Sequence, residues 1–281
     1  MIDRFYLLIL TISSVLIAAA GYIINDYFDL NIDAINKPKR QIVDVIIKRR
    51  WAMVMHIVLS FIGVVLGFWI DIHYHSWWVG LSNLACVLLL FGYSVTLKKK
   101  LLIGNVVISA LTAWVILVVY FVQCEAADPT KHLDLYNDHL PSHWSSYTYK
   151  LIKIAFLYAG FAFIISLIRE VIKDLEDIEG DKRFGCKTMP IAWGIPATKV
   201  FVAVWIIVMV MIVTAVQYYV FQFGWYWSVA YSLTLVIIPL LVILYYLGKA
   251  KLSNDYRKLS TAVKLVMLAG IVSMIFFKVN S

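Results

Sequence analysis

Between Lys199 and Lys249 the chain carries no charged residue at all. A helix needs only about 20 apolar residues to cross the hydrocarbon core of a bilayer, so this run holds two crossings. FGWYW, Phe223 to Trp227, divides them, and its rings suit the aromatic belt at a membrane surface. The same pattern recurs along the chain. Phe5 to about Ile24 forms a first span with no charge between Arg4 and Asp26, and further spans occupy Trp51–Ile70, Trp77 to about Leu97 and Leu101–Cys124. A fifth begins near Thr148 and an eighth runs from about Leu259 to Phe277. With 62% hydrophobic and 15% charged residues and a mean hydropathy of +0.84, the expectation is an all-α, polytopic membrane bundle. Eight transmembrane helices are predicted, in a single domain over residues 1–281.

Where the first span ends, NDYFDLNIDAINKPKR places Asp26, Asp29 and Asp33 within about 60° of one helical face, provided the helix persists that far. Clustered carboxylates repel one another unless cations neutralise them. Hard oxygen ligands of this kind suit Mg²⁺, which takes one or two protein carboxylates, keeps waters, and completes its octahedron with substrate phosphate oxygens. A lone DxxD is more often a solvated loop. Here the pattern is duplicated with the same three-then-four spacing at Asp174, Asp177 and Asp181 in REVIKDLEDIEGDK, again where an apolar helix runs out. Lys37, Lys39 and Arg40 follow the first triad, and Lys182, Arg183 and Lys187 follow the second. Two acidic faces with cations nearby describe a clamp for a diphosphate and its metal ions.

Other chemistries find little support. The net charge of +8 is explained by membrane topology rather than by nucleic acid. Cys86, Cys124 and Cys186 form no metal or redox spacing, and the six histidines make no HExxH pattern. No GxSxG or Walker-type loop occurs. His56 inside the second span reads as a packed, hydrogen-bonded core residue. The polar stretch Glu125 to Tyr147 reads as a surface loop on the side opposite the Asp motifs, since its acids lack helical spacing.

NDxxDxxxD paired with DxxDxxxD in an all-helical membrane chain resembles the UbiA superfamily of intramembrane prenyltransferases, over nearly the whole length. The resemblance implies Mg²⁺ ions bridging the carboxylates Asp26, Asp29, Asp33, Asp174, Asp177 and Asp181 to an allylic diphosphate. Asp26, Asp29, Asp174 and Asp177 are then the leading catalytic candidates. In that family a Tyr and a Lys of a comparable YSxxLK segment help to hold diphosphate, which points to Tyr93 and Lys98. Asn25, Lys37, Arg40, Lys173 and Lys182 are the further diphosphate candidates. The polyprenyl tail is expected in an apolar, aromatic-lined chamber that shields a carbocation-like transition state.

NKPKR and the residues around the second triad look most like the branch that transfers a geranylgeranyl group to geranylgeranylglyceryl phosphate. RQIVD at Arg40–Asp44 departs from the RPIPSG continuation of several branches, and an aromatic quinone precursor is the runner-up acceptor. Transporters place ionisable groups near the bilayer midplane, whereas the middles of these spans are essentially uncharged. An EF-hand lacks its DxDxDG loop here.

Of the Lys and Arg residues, all but Arg4, Lys131, Lys150, Lys153 and Lys278 fall on the side of the two Asp motifs. The positive-inside rule therefore places those motifs at the cytoplasmic face of the membrane. Residues 1–124 and 148–281 each carry a triad after their first helix, which hints at a pseudo-repeat in spacing. The resembled family has nine transmembrane helices with its first motif after the second, so a leading helix is expected to be missing from this chain.

Overall fold

The computed structural model describes residues 2–36, 41–126 and 143–276, the side chains of 143–150 excepted. These residues are helical almost throughout, and two compact units divide them. The first comprises Met1–Leu97 and Ala110–Gly160, and the second Lys98–Ser109 and Phe161–Ser281.

The first unit is built on α1 (Arg4–Asn36), α2 (Arg49–Tyr74), α3 (Trp78–Val95), most of α4 (Ile103–Ala126) and the start of α5 (His143–Glu176). Lipid offers no hydrophobic drive for helix pairing, so small residues and polar contacts must do it. At mid-depth α1 and α2 meet at Gly63, where a Cβ would lie 2.7 Å from Ile17 Cγ1 and 3.3 Å from the Ser13 carbonyl oxygen. Ser13 Oγ donates to the Gly63 carbonyl at 2.7 Å, and Asn83 Nδ2 of α3 donates to Ser13 Oγ at 2.9 Å and to the Gly63 carbonyl at 3.2 Å. One buried polar knot thus joins three helices. His56 is buried as expected, its Nδ1 lying 3.0 Å from the Ala20 carbonyl oxygen.

Asp71, buried near the end of α2, starts α3. Its Oδ1 accepts from Ser76 Oγ at 2.6 Å and the Val79 amide at 3.1 Å, and its Oδ2 accepts from the Gly80 amide at 2.8 Å. That satisfies donors every helix start leaves open. At the same end of the unit the Asp3 amide donates to the Tyr74 hydroxyl at 3.1 Å. A pocket of about 460 Å³ lies there too, lined by Trp78, Trp114, Phe121, Cys124 and Glu125. The carboxylates of α1 are at the unit's other end, with the first turn of α2 and the last of α3.

The second unit continues from α5 through the short α6 (Ile178–Arg183) and α7 (Met189–Ala192), and packs the rest of α5 against α8 (Ile195–Phe221), the helix running from Tyr226 to Lys249, and α11 (Ser253–Val272). Ile165, Ile168, Ile172 and Leu175 recur at helical spacing and form the buried stripe of α5. Pro239 supplies no backbone N–H and crowds the preceding turn. The helix absorbs it by widening to a π turn at Leu233–Ile237, between α9 (Tyr226–Ser232) and α10 (Ile238–Lys249). Asp255 Oδ2 accepts the amides of Lys251 and Leu252, both at 3.1 Å, at the start of α11. These two donors hold its carboxyl below the usual aspartate range.

Seven of the described helices are long and apolar enough to cross a membrane: Arg4–Asn36, Arg49–Tyr74, Trp78–Val95, Ile103–Ala126, Leu151–Glu176, Ile195–Phe221 and Tyr226–Lys249. The expected count of eight is reached only by including α11. That helix carries Asp255, Arg257, Lys258 and Lys264, which dilute its apolar character. The all-helical membrane architecture stands as predicted.

Candidate metal- and diphosphate-binding faces

The condition set on the first triad is met, because α1 continues to Asn36. Asp26, Asp29 and Asp33 therefore share one face, half-buried, over its last three turns. A helix C-terminus carries partial negative charge, so three carboxylates there raise the demand for cations. Asn25 Nδ2 donates to Asp29 Oδ2 at 2.8 Å, which orients that carboxylate. Tyr93 is half-buried in the last turn of α3. It lies on the same end of the unit, where Phe91 packs edge-on against Phe28 of α1, centroids 5.9 Å apart. Lys37 and Arg40 lie outside the described residues.

The second triad departs from one uninterrupted helix. α5 ends at Glu176, Asp177 stands at the junction with φ −98° and ψ 10°, and α6 (Ile178–Arg183) carries Asp181 and Lys182. Spacing alone predicts a common face, but the bend at Asp177 turns the last step. The four-residue backbone bonds nevertheless continue, from Asp177 N to the Lys173 carbonyl at 2.9 Å and from Asp181 N to the Asp177 carbonyl at 3.1 Å. The triad is kinked rather than dispersed. Gly185, with φ 70°, ends α6 in the left-handed conformation that glycine tolerates best. The Cys186 amide then returns to the Asp181 carbonyl at 2.9 Å. Lys187 N donates to the Lys99 carbonyl at 2.8 Å, which draws the turn containing Lys98 to the segment following α6.

Asn105, at the start of α4 and 6% exposed, donates from Nδ2 to Asp174 Oδ2 at 2.8 Å. Buried Glu170 takes the charges of its neighbours: Lys173 Nζ lies 3.5 Å from Oε2, and Arg169 pairs with Oε1. Lys173 thus stands beside the triad already partnered, while Lys182 is exposed on α6. Glu176 is also buried and is held by Arg257 Nε at 3.0 Å, with Ser253 Oγ donating to its carbonyl at 2.9 Å. Neither Asn105 as a carboxylate partner nor the Glu176–Arg257 pair emerges from sequence spacing, since both contacts join distant segments.

Within either unit, among the described residues, no three His, Cys, Asp or Glu side chains converge on one point. An all-protein cage is not what these carboxylates build. Oxygen ligands presented one or two at a time fit Mg²⁺, which leaves coordination positions to water and phosphate.

A helical membrane fold with an acidic helix end in each unit is what an intramembrane transferase of diphosphate-activated groups is expected to have. The chain belongs to the UbiA prenyltransferase family, whose model matches residues 1–269. It is therefore an integral membrane prenyltransferase. A relative, digeranylgeranylglyceryl phosphate synthase of Methanosphaera stadtmanae, is 30% identical over 257 residues, covering 90% of this chain and 81% of that protein. A solved structure concerned with digeranylgeranylglyceryl phosphate synthase in membranes has a TM-score of 0.58 and 25% identity, over 97% of this chain and 86% of the other. A UbiA homologue from Archaeoglobus fulgidus, bound to GPP and Mg²⁺, has the same fold with a TM-score of 0.58 at 14% identity, covering 96% of this chain and 88% of that one.

Proposed function

We propose that this chain transfers a geranylgeranyl group from its allylic diphosphate to the free hydroxyl of geranylgeranylglyceryl phosphate, with Mg²⁺ as cofactor. The observation that carries the reading is the pair of acidic helix ends, each with one carboxylate held at 2.8 Å by an asparagine amide. The relatives named digeranylgeranylglyceryl phosphate synthase supply the donor and acceptor.

Asp26, Asp29 and Asp33 on one face, and Asp174, Asp177 and Asp181 on the other, would hold the metal ions. Mg²⁺ supplies positive charge that stabilises the departing diphosphate. Asn25 and Asn105 orient one carboxylate each, which preorganises it for a cation. Lys37, Arg40, Tyr93, Lys98, Lys173 and Lys182 are the residues this reading assigns to diphosphate binding. In the transfer, the allylic C–O bond breaks with its electron pair leaving on diphosphate, the acceptor oxygen bonds to the allylic carbon, and the hydroxyl proton is released. The apolar spans hold both lipid tails and keep water from the allylic cation.

The carboxylate faces are oriented towards the cytoplasm in this reading, supported by the concentration of Lys and Arg around them. A test of the whole proposal incubates the purified protein with labelled geranylgeranyl diphosphate, Mg²⁺ and alternative acceptors. Transfer to geranylgeranylglyceryl phosphate with release of diphosphate is expected. Transfer only to an aromatic quinone precursor would overturn the acceptor, and no Mg²⁺-dependent release of diphosphate would overturn the chemistry.

A further inference from the structure

Residues 41–48 join α1 to α2 through a tight turn. Asp44 adopts φ 68°, its amide donates to the Ile47 carbonyl at 2.8 Å, and the Ile46 amide donates to the Ile42 carbonyl at 2.8 Å. Val43 is tucked in at 6% exposure, while Ile42, Val45 and Ile46 stand out at 47%, 69% and 75%. The base of the turn is fastened to α1. Gln41 Nε2 donates to the Leu30 carbonyl at 2.6 Å, and the Arg49 guanidinium lies 4.5 Å from the centre of the Tyr27 ring. Lys48, Arg49 and Arg50 follow, all exposed, and then Trp51, 58% exposed.

The three cations mark the polar end of α2, which places the preceding turn on the water side of the bundle. Three aliphatic side chains standing out there are unfavourable in water. Beside three cations and a tryptophan, they match an interfacial anchor, with apolar groups in the boundary between headgroups and acyl chains and charges among the headgroups. We propose that the Ile42–Ile47 turn is such an anchor, and that Lys48, Arg49 and Arg50 recruit anionic lipid headgroups around it. The sign of the charge selects the partner, because a polybasic segment gains from a negative surface and not from a zwitterionic one. Asp44 is the sole acid between Gln41 and Trp51. Since the turn is clamped to Tyr27 and Leu30, lipid held there also sets the height of Asp26 and Asp29 relative to the membrane surface.

The test places a photo-crosslinking benzophenone side chain at position 46 of the full chain, reconstituted in vesicles of equal parts anionic and zwitterionic glycerophospholipid, and identifies the adducts by mass. Lipid adducts are expected, with anionic lipid enriched roughly fivefold over its bulk share, the effect of about one charge acting near the surface. Lys48→Gln with Arg50→Gln, which spares the Arg49–Tyr27 contact, should return the ratio towards bulk. Absence of lipid adducts overturns the anchor. Adducts in the bulk ratio, unchanged by the two substitutions, overturn the selection for anionic lipid. Prenyl transfer enters none of these readouts.

Discussion

Asn105 Nδ2 meets Asp174 Oδ2 at 2.8 Å, the same distance that separates Asn25 Nδ2 from Asp29 Oδ2. One asparagine comes from the same helix, four residues before its aspartate; the other comes from α4, 69 residues away. Different routes give each acidic face one carboxylate whose orientation is fixed by a neutral donor. Asn105→Ala should lower the rate of prenyl transfer about 10-fold, in keeping with loss of a partner that orients a metal ligand, and should raise the Mg²⁺ concentration needed for half-maximal rate. A titration of initial rate against Mg²⁺ reads both effects.

Neutralising a carboxylate removes the ligand itself. Asp26→Asn and Asp177→Asn should each reduce the turnover rate on the order of 10²-fold or more, the scale of losing one preorganised electrostatic group. Their thermal unfolding in detergent should be little changed. A wild-type rate with unaltered Mg²⁺ dependence in both folded variants would remove these residues from the site.

Asp71 holds the start of α3, at the end of the first unit away from the carboxylates of α1. Asp71→Ala leaves the Val79 and Gly80 amides and the Ser76 hydroxyl without their acceptor, at a cost of about 1–3 kcal/mol. The unfolding midpoint should drop, while kcat at a temperature where the variant is folded stays near wild type.

Glu176 is buried and depends on Arg257 for its charge partner. Arg257→Met should destabilise the second unit, because an unpaired buried carboxylate is costly. Adding Glu176→Gln to that variant should recover much of the loss. A double-mutant cycle on unfolding midpoints checks the coupling.

Asp255 gives a pH dependence of definite sign. Its folded carboxyl is held below the ordinary aspartate value by the amides of Lys251 and Leu252. The contribution is therefore fully present above the ordinary value of about 4 and is lost as pH falls through the lower folded value. Wild type should be more stable than Asp255→Asn at neutral pH, and their unfolding midpoints should converge in strong acid.

The charge-free runs made the helices legible: α8 ends at Phe221 and the next helix begins at Tyr226, around the FGWYW segment that divides the apolar stretch. The first triad was legible too, because helical period assigns residues to a face and α1 continues past them. Period says nothing about which distant side chain meets that face. Asn105 and Arg257 reach Asp174 and Glu176 from 69 and 81 residues away, and only folded geometry reveals them. The bend at Asp177 was hidden for a related reason, since the sequence pattern on both sides of it suits a helix. The charges of α11 blur the last span, leaving seven helices with a clear membrane-spanning composition.

The knot of Ser13, Gly63 and Asn83 has a mechanical meaning. If α1 slid by one turn along α2, the Ile17 side chain would lose the gap that Gly63 leaves, and the bonds from Ser13 to Gly63 and from Asn83 to Ser13 would break together. Piston travel along the membrane normal is thereby opposed in α1. Asp26, Asp29 and Asp33 lie on the same helix beyond this knot, on turns that Gln41 and Arg49 fasten a second time through Leu30 and Tyr27, so the height of that acidic face is set at two levels of α1.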